Sequence, residues 1–133
     1  MKVVINKCYG GFSLSPRALK EYYKRKGRET HFFHYEYTAK VHTPVDMEHA
    51  GMFTSAYDIP NVNEAPDRDA HYLDARPDDR ADSDLVAVVE ELGEDANGDC
   101  ASLKVIEIPD DVEYGIEEYD GLEWVSERHR TWS

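Results

Sequence analysis

Long apolar runs are missing from this chain. No stretch approaches the ~20 apolar residues that a membrane-spanning helix needs. The opening Met1-Lys2-Val3-Val4-Ile5-Asn6-Lys7 turns polar too early for a secretory leader. The expectation is a soluble, cytoplasmic protein without a membrane partner. Cysteine is equally scarce, with Cys8 and Cys100 the whole supply. Two thiols without an export signal read as reduced and unpaired. Neither has a second Cys or a His within four residues, so neither begins a metal-ligand motif. Basic residues are the third shortage: 15 Lys and Arg face 28 Asp and Glu, a net charge of −13. Counterion release favours basic proteins, so direct binding to DNA, RNA or anionic lipid is not expected.

The acids are unevenly placed. Residues 1–40 hold nine basic and three acidic residues, a balance of +6, which leaves six basic and 25 acidic residues, or −19, over 41–133. A basic first third suits an anionic ligand, or the acidic part of a second copy in a homo-oligomer. It equally suits a solvated helix face.

At 133 residues the chain fits a single domain, 1–133. Lys2 to Asn6 is β-branched and reads as a buried strand. The pair Gly10-Gly11 then forces a turn. Ser15 and Pro16 mark a helix start, Ala18, Leu19, Tyr22 and Tyr23 supply its apolar face, and Gly27 ends it. Thr30 to Tyr37 is aromatic and reads as a strand. Residues 40–81, with Pro44, Pro60, Pro66 and Pro77, form a long irregular or partly structured segment. Short strands are expected there at Met52 to Tyr57 and His71 to Ala75. Asp82 to Asp84 caps a second helix, Leu85 to Leu92, apolar almost all round and ended by Gly93. Strands follow at Leu103 to Pro109 and Val112 to Tyr119, the latter with Gly115 as a candidate bulge. Leu122 to Trp132 reads as a strand or short helix. The order predicts an α+β fold, a small mixed or antiparallel sheet with two main helices packed on it. A small three-layer α/β sheet is the alternative.

The segment Asn6 to Ser15 places a strand, two glycines, hydroxyls and a helix N-terminus in sequence. Small residues let backbone amides approach a ligand, and a helix start adds partial positive charge. With Lys7, Tyr9, Gly10, Gly11, Ser13, Ser15 and Arg17, this is a candidate cradle for phosphate or carboxylate. The spacing is that of neither a P-loop nor a dinucleotide fingerprint. A purely structural connection is the competing reading. The terminal His129, Arg130 and Trp132 could add a guanidinium clamp and a stacking ring. They could equally dock on the core. His31 and His34 would point to opposite faces of a strand, and His42, His49 and His71 are scattered, so neither a metal nor a cofactor is expected.

The run Asn-Lys-Cys-Tyr-Gly-Gly-Phe-Ser-Leu-Ser at 6–15, the elements at 85–93 and 103–109, and Tyr119-Asp120-Gly121 with His129-Arg130 and Trp132 resemble a widespread family of short phage and prophage proteins without a settled function. The resemblance covers about two thirds of the chain and misses mainly residues 30–80. It implies a viral protein acting in a host cell cytoplasm. Such proteins often counter host defence. The anti-Thoeris sponges, similar to this chain in size and plausible architecture, bind cyclic nucleotide signals between protomers. None of their ligand contacts maps onto a residue here. Three functions stay open: a non-enzymatic, homo-oligomeric binder of a small phosphorylated ligand, which is favoured, an acidic protein-binding inhibitor that mimics nucleic acid, and a small hydrolase using His129 or Cys8.

Overall fold

The computed structural model describes residues 1–51 and 53–127. Seven strands and two helices follow one another in the order β1 (Lys2–Asn6), α1 (Pro16–Arg25), β2 (His31–Glu36), β3 (Val41–Val45), β4 (Thr54–Tyr57), α2 (Ser83–Leu92), β5 (Leu103–Glu107), β6 (Tyr114–Tyr119) and β7 (Leu122–Glu127). The fold is small α+β. Its strands form three separate antiparallel sheets, β1–β5, β3–β2–β4 and β6–β7, rather than one. All pairings among the described strands are antiparallel, so the three-layer alternative is not the one adopted.

Local chemistry sets both helices. The Ser15 hydroxyl accepts from the Ala18 amide at 3.1 Å, and Pro16 fills the first position, where its missing N–H costs nothing. The Asp82 carboxylate accepts from the Asp84 amide at 2.8 Å, and Gly93 ends α2 at φ +57°. Ala18, Leu19 and Tyr22 of α1 pack with Leu85, Val86, Val88 and Val89 of α2 in one core that also takes in Val4, Phe32, Leu73 and Leu103. Lys26, just past α1, bonds Asp82 at 2.6 Å and Asp84 at 2.9 Å, which ties the end of one helix to the start of the other.

Three local expectations change. β3 lies in the segment read as irregular. Its Pro44 lacks a donor, and the strand tolerates this because it stands at the edge of its sheet. His71 to Ala75 is not a strand: a 3-10 turn covers Arg68–His71, and only Tyr57 and Tyr72 form a bridge. Asp74 then turns the chain by accepting from the Arg76 amide at 2.8 Å. Gly115 pairs in register with Ser126, so the β6–β7 hairpin runs past it without a bulge. The strand reading of the tail holds for β7 as far as Glu127, and Met52 lies outside the described residues.

The hairpin reaches the rest of the molecule through a buried polar cluster. Asn6 is fully buried at the end of β1. Its side-chain amide donates to the carbonyls of Cys8 (2.6 Å) and Gly121 (2.8 Å) and its oxygen accepts from the Ser102 amide (2.8 Å), so the buried group is satisfied. The Asn6 backbone amide donates to Glu123 Oε1 at 2.8 Å. Glu123 is also gripped by both terminal nitrogens of Arg80, at 2.7 and 3.0 Å. The Arg80 guanidinium lies 3.7 Å from the centre of the Phe12 ring. Removing one partner of a buried pair strands the other without water. Glu123→Ala should therefore lower unfolding free energy by about 3–5 kcal/mol. Urea denaturation measures this, and a loss below about 1 kcal/mol, the size of an exposed pair, would show the cluster to be peripheral.

Candidate functional site

The glycine bend after β1 is built by close backbone approach. Gly10 has φ +118°, and a Cβ there would sit 2.6 Å from the Cys100 Cβ. Gly121, at the turn between β6 and β7, has φ +91°, and its Cβ would meet the Gly11 nitrogen at 2.2 Å. Only glycine fits where two backbones touch. The Gly10 amide donates to the Asp120 carbonyl at 3.1 Å. One side of the bend is thus packed against the hairpin turn.

The other side opens on a cavity of about 370 Å³. Gly10 and Ser13 form one wall, Leu19, Phe32 and Leu73 are apolar lining, and Tyr72, Arg76 and Asp99 add polar groups. Arg76 also borders an adjoining cleft of about 450 Å³ with Gly11, Arg80 and Glu123. Its guanidinium nitrogen lies 3.2 Å from where a Gly11 Cβ would be, so the absence of a side chain at Gly11 makes room for it. Arg17, Arg25, Arg28, Arg68 and Arg80 each have a carboxylate within ion-pair distance. Arg76 is the one arginine among the described residues without such a partner.

The residues singled out from the sequence go to different places. Gly10 and Ser13 line the cavity and Gly11 lines the cleft. Lys7 is exposed, and Tyr9 is 58 % exposed. Ser15 caps α1 while its hydroxyl donates to the Asp95 carbonyl at 2.6 Å, and its own amide donates to the Ala96 carbonyl at 2.9 Å. Arg17 pairs with Asp95 at 3.6 Å. The α1 N-terminus is therefore engaged by residues 95–96. His129, Arg130 and Trp132 lie outside the described residues. Of the nine cations in residues 1–40, Lys2, Arg17, Arg25, Lys26 and Arg28 pair with acids between Asp58 and Asp95, so much of the basic first third is answered within the chain. Arg76 and Asp99 were not foreseen. Nothing local marks them, since the first lies in the proline-rich segment and the second in a run of acids and glycines.

Among the described residues no group of three or more His, Cys, Asp or Glu side chains is placed to hold a metal ion, and no helix is long and apolar enough to cross a membrane. Cys8 is half-buried, Cys100 is exposed, and both are free thiols. Comparison with protein-family models, with curated proteins and with solved structures finds no match to this chain. Fold and site together define a small antiparallel α+β protein with a charged cavity beside a glycine bend.

A second buried polar group stands apart from this cavity. The His42 ring is surrounded by Tyr35, Tyr57 and Phe33 at centroid distances of 4.8, 5.4 and 6.2 Å. Asn63 clamps the His42 backbone with two 2.8 Å bonds, while the ring Nδ1 has no partner among the described residues. Burial, with the positive charge of Arg68, holds the imidazole pKa below its ordinary value. The unfolded chain then takes a proton below about pH 6.5 that the native state resists, so stability falls as pH drops through that range. Urea midpoints followed from about pH 7 to 5 should fall more steeply for wild type than for His42→Phe. Parallel slopes would mean that this ring does not contribute.

Proposed function

We propose that the protein is a non-enzymatic binder that sequesters a small anionic ligand in the cavity between the glycine bend and Arg76. The observation that carries this reading is the unpaired Arg76 guanidinium. In a chain of net charge −13, the five other described arginines each have a carboxylate within ion-pair distance. A guanidinium held beside a cavity, over a glycine, keeps its fork of donors free for an oxyanion. Tyr72, which lines the same space, offers a ring face. In the setting that the phage resemblance implies, the ligand is a phosphorylated signal of the cyclic nucleotide type and sequestration opposes host defence.

Calorimetric titration of the full chain with inorganic phosphate, phosphate monoesters, nucleotides and cyclic nucleotides tests the reading. Binding should weaken with salt, and Arg76→Ala should cut the affinity of the best ligand at least about tenfold, the loss of roughly one charge-assisted hydrogen bond. Circular dichroism confirms that the variant folds. No heat across the panel, or equal affinities for wild type and Arg76→Ala, would overturn it.

A further inference from the structure

The cavity carries a second unpaired charge. Asp99 lines it together with Arg76, and no described residue pairs with the Asp99 side chain. Its Oδ2 lies 3.9 Å from where a Gly51 Cβ would be, and the Asp99 carbonyl accepts from the Ser13 hydroxyl at 3.5 Å. Arg76 sits over Gly11, and the two opposite charges, which line the same cavity, do not form an ion pair with each other. An unpaired carboxylate alone means little in a protein with 28 acids. One that shares a cavity with the single unpaired described arginine, without neutralising it, leaves the space positive at one place and negative at another.

Resting on the anion-binding reading above, and replacing its cyclic-nucleotide form, we infer that the ligand is dipolar: an anionic group for Arg76 and an ammonium group for Asp99, joined by an apolar spacer. A simple anion is attracted by Arg76 but repelled by Asp99, whereas a molecule with both charges gains at each end. The apolar spacer has a matching surface, because Leu19, Phe32 and Leu73 line the cavity. Asp99 thus acts as a selectivity element that disfavours ligands lacking the amine. Carboxylate and phosphate offer Arg76 the same chemistry, and the probes below separate them.

The test is calorimetric titration of the full chain with two matched pairs: phosphoethanolamine against ethyl phosphate, and 6-aminohexanoate against hexanoate. In at least one pair the amine-bearing member should bind at least tenfold more tightly. Asp99→Asn should abolish that preference by weakening the amine-bearing probe while leaving or improving the simple anion. Arg76→Ala should weaken every probe. Equal affinities within both pairs, or a preference that survives Asp99→Asn, overturn the dipolar inference, and Arg76-dependent binding of the simple anions would then leave the anion-binding reading standing. If no probe binds, or if Arg76→Ala changes nothing, both fall. Asp99 is exposed, so its substitution leaves the fold intact, which urea denaturation verifies.

Discussion

The structure depends on the buried contact between Asn6, Glu123 and Arg80. β1 pairs with β5 on one edge only. On its other edge the Val4 amide donates to the Arg80 carbonyl at 2.9 Å, and the Asn6 amide donates to the Glu123 carboxylate. A side chain and a loop carbonyl therefore replace the strand that would otherwise satisfy this edge. Glu123 can be buried because Arg80 meets both of its oxygens, and the half-buried Arg80 rests its guanidinium on the Phe12 ring. The cluster joins residues from β1, the glycine bend, the segment before α2 and β7. It also brings the Gly121 turn against Gly10 and Gly11.

The glycine bend follows from that placement. With the hairpin turn held by Asn6, the bend is trapped between Gly121 on one side and Cys100 and Arg76 on the other. Its tightness shapes the cavity, since Gly10 and Ser13 can form a wall only where no side chain intervenes. The cavity is therefore positioned by a polar cluster that does not itself line it, apart from the shared border at Arg76 and Gly10 with the adjoining cleft.

Charge is organised by the same economy. The early cations are spent on acids that come later: Lys2 on Glu90, Arg25 on Glu91, Lys26 on Asp82 and Asp84, and Arg28 on Asp58, which also accepts from His71 at 2.7 Å. At Asp58, burial pushes the carboxyl up, but hydrogen bonds from Arg28 and His71 outweigh it and hold the pKa below the usual carboxylate value. These pairs tie α1 to α2 and to the end of β4. Most are partly exposed, so each contributes modestly, and their role is orientation more than stability. Among the described arginines they leave over Arg76, the one without a carboxylate partner.

Local signals in the chain determined both helices and most strands. Ser15-Pro16, Asp82 and the closing glycines act on amides and dihedrals within one turn of the helix, so their consequences are written beside them. The apolar face at Ala18, Leu19 and Tyr22, and the apolar run at Leu85 to Val89, likewise declared which surfaces would be buried. The tight bend at Gly10-Gly11 was also legible. Tertiary structure alone decided the division into three sheets, the edge position that lets Pro44 stand in a strand, and the meeting of Asn6 with a carboxylate 117 positions away. It alone gathered Gly10, Ser13, Arg76 and Asp99 around one space, and it turned Ser15 and Arg17 toward Asp95 instead. Capping and turn formation act over a few residues, whereas burying a charge or leaving one unpaired depends on whatever packing brings alongside, and that neighbour has no fixed distance along the chain.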